Sequence, residues 1–248
     1  MTLPLTTNQA VNNAIRILLY NQRKVVSNKW QAQEVNQEML ELTNIFLSME
    51  MVSNPTDLGL QTGCDLPWSE DHFQERIAND PEARNPGREW KNWPYYQHGK
   101  DDNRFRADGL FSHTYQERFY PDAGCGRFPN GGLSDIIMRL ITDPTSRQAY
   151  LGIWHPEDQS NHQQRVPCTL GYWFKVNDGK LDMTYLIRSC DARRHFRNDV
   201  YMAQRLAKYV ADKLGIEIGT LTMWIGSFHC FSSDAYSLEQ KLKKCADL

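Results

Sequence analysis

The sequence predicts a single α/β domain on a largely antiparallel sheet, and three stretches carry that prediction. Residues 168–176 and 181–187 are apolar, aromatic-rich runs flanking Asn177-Asp178-Gly179, and an Asp-Gly pair between such runs is the strongest short-range signal for a β-hairpin. Residues 200–214 set Ala203, Ala207, Val210 and Leu214 on one stripe and stop at Gly215, a helix with its C-cap. Residues 39–49, MLELTNIFLSM, mix β-branched and apolar side chains and end near Asn54-Pro55, as a strand does before a turn. With 248 residues the chain can bury one sizeable core, so residues 1–248 are read as one domain.

The remaining elements follow in order. Residues 6–20 carry Ala10, Ala14, Ile17 and Leu18 at helical spacing behind a Thr6-Thr7 cap. The segment 22–37 is polar and basic, with Arg23, Lys24 and Lys29, and reads as solvated. Residues 50–67 are turn-rich, and 68–77, WSEDHFQERI, read as a short helix with His72 and Glu75 on solvated faces. Residues 81–108 combine Pro, Gly and charge with Trp90, Trp93, Tyr95, Tyr96, Arg104 and Arg106. A loop of that length is usually functional or disordered, and aromatics among basic residues can stack on single-stranded nucleic acid. His113 and Tyr115 follow. The glycine-rich stretch 124–135 lacks the Gly-Lys-Ser/Thr ending of a phosphate loop. A helix is expected over 133–141, strands over 148–154 and 221–231, a polar loop over 155–165 and a lysine-rich helix over 238–245.

Composition narrows the class. A formal net charge of −2 leaves no global footprint for a polyanion. Six cysteines, at 64, 125, 168, 190, 230 and 245, include no CxxC pair and follow no secretory leader, which points to a reduced, cytoplasmic protein. No apolar run approaches the ~20 residues of a membrane span. His155 and His162 lack metal-ligand spacing, so no metal is expected.

The chemistry gathers between 165 and 199. Cys168 is a candidate nucleophile, and a cation such as Arg188 beside it favours the thiolate. Pro167-Cys168, Asp178-Gly179-Lys180-Leu181, Arg188-Ser189-Cys190-Asp191 and Gly226-Ser227-Phe228-His229 together resemble the thymidylate synthase family in order and spacing. The likeness is greatest to its phage deoxycytidylate hydroxymethylase branch, which shares Phe196-Arg197-Asn198-Asp199, and it covers 143–231 well and the N-terminal half loosely. The resemblance implies a three-layer fold with a mixed, largely antiparallel sheet and flanking helices. It also implies a homodimer paired through that sheet, a pyrimidine nucleoside monophosphate as substrate and 5,10-methylenetetrahydrofolate as cofactor, with neither membrane nor nucleic acid as partner.

The same resemblance assigns roles. Cys168 adds to C6 of the pyrimidine, and Glu70 manages water and protons at the base. Arg188 and Ser189 hold the phosphate, a pairing that suits its geometry, and Arg147 reaches the phosphate across the dimer interface. Gln148 stands where a second arginine is usual, and His195 where relatives have glycine. His229 bonds the sugar, although Phe231 replaces a tyrosine that would also bond it, leaving ribose and deoxyribose both open. Asp191, Trp90 and Trp93 line the folate site. Relatives continue into a C-terminal tail that closes over the folate; no such segment is found here, and a wet pocket favours a hydroxymethyl over a methyl product. Asp199 selects the base: a carboxylate pairs the N4 amino group and protonated N3 of cytosine, whereas the asparagine of the synthases pairs uracil. A one-residue shift would put Asn198 there and turn the choice to uracil. The expected activity is conversion of dCMP, or CMP, to its 5-hydroxymethyl derivative. The alternatives are a synthase or hydroxymethylase acting on dUMP and a non-catalytic module for single-stranded nucleic acid.

Overall fold

A computed structural model describes residues 4–30, 33–78, 88–95, 113–120, 132–159 and 165–246. The expectations for Tyr96, Arg104, Arg106, His162, the 124–131 glycine run and the side chain of Lys29 lie outside the described residues.

Helix α1 (Thr7–Asn21) opens on a capping box, in which Thr6 and Gln9 bond one another's backbone, and buries Ala10, Ala14 and Leu18. Ile17, expected on that stripe, is exposed. The polar segment after it is exposed at Arg23 and Lys24, as read, yet regular: it forms strand β1 (Arg23–Trp30) and the start of β2 (Gln33–Glu50), an antiparallel hairpin. Its charges pair across the strands, Arg23 with Glu41 at 3.0 Å and Lys24 with Glu38 at 3.1 Å, so this edge carries little apolar patterning. Asn54-Pro55 does not merely end a strand. Asn54 Oδ1 accepts from the backbone N–H groups of Thr56 and Asp57, Pro55 takes the first helical position, and Gly63 at φ 62° closes α2 (Pro55–Thr62).

Next come α3 (Trp68–Ile77), α4 (Arg88–Lys91), α5 (Tyr115–Phe119), α6 (Leu133–Thr142) and β3 (Tyr150–Gly152). The hairpin of β4 (Thr169–Asn177) and β5 (Lys180–Asp191) turns at Asp178 and Gly179, both at positive φ (47° and 74°), the conformation the Asp-Gly pair predicts. Helix α7 (Phe196–Leu214), β6 (Glu217–Phe231) and α8 (Ala235–Ala246) complete the chain. Gly215 at φ 68° caps α7, as predicted.

The six strands lie in the order β1-β2-β6-β5-β4-β3. Neighbours are antiparallel except β5 and β6, which run parallel because α7 crosses between them. Helices α1 and α7 cover one face, and α2, α3 and α6 pack on α7, giving three layers. The core between sheet and α7 joins Met183, Tyr185 and Ile187 to Leu221, Met223, Ile225, Phe196, Val200 and Ala207. On the other face Phe46, Trp224 and Leu186 stand in register, and Phe46 is 70% exposed. Among the described residues no helix is long and apolar enough to cross a membrane. Strands β5 and β6 end at Asp191 and Phe231, beside the start of α7 at Phe196. The carboxyl ends of adjacent parallel strands are where open α/β sheets leave a crevice.

Candidate active site

A cavity of about 530 Å³ opens at that crevice, within the range of small-molecule sites. Its walls include Cys168, Arg188, Ser189, Asp191, Asp199 and His229. Each arrives by a simple route: Cys168 precedes β4, three of the residues end β5, His229 is near the end of β6, and Asp199 sits in the first turn of α7. Strand register ties them together, with Ser189 beside Ser227, Asp191 beside His229, and His229 beside Glu41 of β2.

Arg188 is built into the cysteine segment. Its Nε donates to the Pro167 carbonyl at 2.9 Å and its guanidinium to that of Val166 at 3.2 Å, while its backbone N–H donates to the Cys168 carbonyl at 2.9 Å. The cation and the half-buried thiol are therefore held in one rigid unit. Next to them a chain of hydroxyls runs from Tyr115 through Thr169 to Tyr185, each step 2.9 Å. His113, on the cavity wall, is pushed down to about 3 by burial and the neighbouring Arg165 and Arg118 guanidiniums, so it is neutral.

Asn198 and Asp199 diverge. Asn198 is consumed by structure: its Oδ1 accepts from the Asp65 backbone and from Ser69, each at 2.8 Å, and its Nδ2 donates to Asp65 at 3.0 Å and to the Arg194 carbonyl at 3.2 Å. Asp199 faces the cavity and accepts from the Cys190 thiol at 3.6 Å. Burial raises its carboxyl to about 6; the Arg76 charge and the Cys190 bond pull it down, and Asp191 pushes it up.

The other wall residues are held by networks. Asp191 Oδ1 accepts the backbone N–H groups of Arg193 and Arg194 (2.8 and 2.9 Å), and Oδ2 accepts from the Arg194 guanidinium at 3.2 Å. Arg194 also pairs with Asp234, and Arg193 bonds Tyr95 and Ser237, so both arginines brace the wall. His229 Nδ1 lies 3.2 Å from Ser227 Oγ, which donates to Glu41 at 2.7 Å. An aromatic ledge borders the cavity: Trp68 and Trp90 line it, Trp93 lies buried behind, and His195 stacks on Trp93 at 4.7 Å with an 11° interplanar angle.

Two predicted residues do not join this group, and Trp93 supports it only from the second rank. Glu70, expected at the base, points away from the cavity: both oxygens accept from the Arg205 guanidinium at 2.8 Å, and it also accepts from Tyr201 and Gln74. Partial burial pushes its carboxyl up, but those bonds outweigh this and hold it at about 2. The correction has a plain cause: α3 turns Trp68, His72 and Arg76 inward, leaving Glu70 on the flank that meets α7. Arg147 is exposed outside this chain's cavity, its carbonyl accepting from Trp173 at 3.2 Å.

Sequence reasoning passed over Arg76, Glu41 and Ser227, and its placing of His72 on a solvated face is corrected: His72 is buried, between Trp68 and Arg76 on the inward face of α3. Trp68, His72 and Arg76 are four apart, one face of a helix, and that spacing was the available signal. Glu41 gave none, because its place depends on pairing with a strand nearly 190 residues away.

The thymidylate synthase family profile matches residues 86–247. A protein of Methanosarcina barkeri provisionally named a thymidylate synthase is 35% identical over 108 residues, 44% of this chain and 49% of that protein. The deoxyuridylate hydroxymethyltransferase of Bacillus phage SP01 is 29% identical over 55% of this chain and 38% of its own length. The chain spans about half the length of the relatives it matches. In fold it resembles thermostable thymidylate synthase A from Bacillus subtilis, with a TM-score of 0.68 over 96% of this chain and 84% of that one, at 16% identity. With the family profile covering well over half of its residues, the chain belongs to the thymidylate synthase family.

Proposed function

We propose that this protein is a pyrimidine nucleotide C5-hydroxymethyltransferase acting on cytidylate, dCMP or CMP, with 5,10-methylenetetrahydrofolate as one-carbon donor. The observation that carries the reading is Cys168 and a buried Asp199 facing one cavity while Asn198 is locked into structure. Cys168 adds to C6 of the ring, making C5 nucleophilic. Asp199 accepts from the N4 amino group and, near neutral pH, shares a proton with N3, the atom that receives electrons when the thiolate adds.

The rest of the cavity suits a nucleotide. Arg188 and Ser189 offer the phosphate a charged donor and a hydroxyl, and the start of α7 adds the positive end of a helix dipole. His229 takes a sugar hydroxyl. The ledge of Trp68 and Trp90 suits a flat pterin, and Asp191 keeps an acceptor position, because its bonds use three of a carboxylate's roughly four. When bound, the folate supplies the carbon that C5 attacks. The helix-free face of the sheet, with exposed Phe46, supports pairing of two copies, and Arg147 would then serve the partner's phosphate. The water-managing role expected of Glu70 is not carried into this proposal.

The phage relative's name refers to deoxyuridylate, which keeps uracil as the rival base. Incubation with C5-tritiated dCMP, CMP and dUMP plus the folate separates them. Tritium release from a cytosine nucleotide and not from dUMP is expected, and the reverse overturns the Asp199 assignment. The product mass, with or without the extra oxygen, decides hydroxymethyl against methyl.

A further inference from the structure

We infer that Arg76 is a further substrate-binding residue, donating from its guanidinium amino groups to the O2 carbonyl of the pyrimidine ring and taking up negative charge there when the Cys168 thiolate adds. The inference rests on the cytidylate reading above. Arg76 is only 5% exposed, yet it lines the cavity. Its other contacts fix its plane and use one of its five N–H donors. The guanidinium donates to His72 Nε2 at 3.1 Å, so the His72 proton resides on Nδ1, which faces Glu75 at 3.1 Å. The guanidinium carbon lies 3.9 Å above the Tyr115 ring. Nε is sealed in the protein without a hydrogen-bond partner, and the bond to His72 leaves the other amino N–H groups of the guanidinium for a ligand. Leaving the charged donors of a buried guanidinium unpaired is costly, and an acceptor bound in the cavity would remove that cost.

The chemistry of the base matches this donor. Arg76 and Asp199 give the wall one fixed cation and one fixed acceptor, while cytosine presents a donor at N4 and acceptors at N3 and O2. In the addition step the sulfur lone pair forms the S–C6 bond, the C5=C6 pair becomes the C4=C5 double bond, and the C4=N3 pair moves to N3. Conjugation shares that charge with O2, and no further reactant is needed. Asp199 serves the N3 and N4 end and Arg76 the O2 end. The Glu75–His72–Arg76 chain holds the guanidinium ready, as an electrostatic stabiliser requires.

The test combines a change in the protein with a change in the ligand. Calorimetric affinities are measured for dCMP and its 2-thio analogue on the full chain and on Arg76→Gln, with circular dichroism and thermal melts as controls for folding. Wild type is expected to bind the analogue about tenfold more weakly, as is Arg76→Gln to bind dCMP, with no further loss when the two changes are combined. The variant's kcat should fall about 10²- to 10³-fold. If the two losses multiply, or wild type binds both ligands equally, Arg76 does not touch O2 and the inference fails. The second comparison needs no variant, so it decides the matter even if Arg76→Gln does not fold. If wild type binds no cytosine nucleotide, the cytidylate reading fails and takes this inference with it.

Discussion

Replacing Asp199 with Asn separates the carboxylate's burial from its proposed role in base choice. The side chain is buried and its carboxyl sits at about 6 instead of 3.8, a difference of about 2 units. Each unit corresponds to about 1.4 kcal/mol, so the ionised group costs the native state about 3 kcal/mol at neutral pH. The sign follows from proton binding. Between about pH 4 and pH 6 the native state holds the proton more tightly than the unfolded chain, so stability falls as pH rises through that window and then levels off. Asparagine is neutral throughout and keeps an oxygen for the Cys190 thiol. Asp199→Asn should therefore be more stable than wild type by up to about 3 kcal/mol above pH 6, with the advantage shrinking to nothing below about pH 4. Urea unfolding across that range, with unchanged m-values, measures it. A gap that does not vary with pH, or a variant less stable than wild type at about pH 8, would refute the reasoning. In tritium release the same variant should shift preference from cytosine to uracil nucleotides, an outcome independent of the stability result.

Three further outcomes check other parts of the structure. Cys168→Ala should lose at least ~10⁴-fold in turnover while keeping nucleotide affinity within a few-fold, because in the proposed mechanism the sulfur acts in the chemical step. Glu70→Gln should leave kcat within about twofold and cost no more than about 1 kcal/mol, since its pair with Arg205 is partly solvated; the pair's contribution is present above about pH 4.5 and lost as pH falls towards about 2. In Gly226→Ala the new Cβ would lie 2.8 Å from the Arg188 backbone oxygen. Melting should show a loss of about 1–3 kcal/mol, together with weaker nucleotide binding, because the strand that carries Arg188 must shift.

What could be read from the chain depended on how local the determinant was. The β4–β5 hairpin, α3, α7 and its cap each rest on patterns within twenty residues, and each formed, with α7 beginning four residues earlier than read, at Phe196. Strand β1 did not announce itself because its edge is satisfied by cross-strand ion pairs and not by an apolar face. Helix α2 was hidden because Asn-Pro initiates a helix as readily as it ends a strand.

The cavity divides along the same line, and the division explains Arg76. Arg188, Ser189 and Asp191 lie on one strand end, and Asp199 follows one helical turn into α7, so linear spacing alone brings them together. The wall from α3 has no such tether. Whether a helix presents Glu70 or Arg76 depends on its rotation, and Asn198 sets that rotation by bonding Ser69 and the Asp65 backbone near the start of α3. The residue adjacent to Asp199 thus does two things at once: it leaves Asp199 as the group facing the cavity, and it turns Trp68 and Arg76 towards the same space. Asparagine is suited to this because one side chain both donates and accepts. Asp199 and Arg76 are on this account coupled through Asn198, so a change there should disturb base choice and the Arg76 donor together.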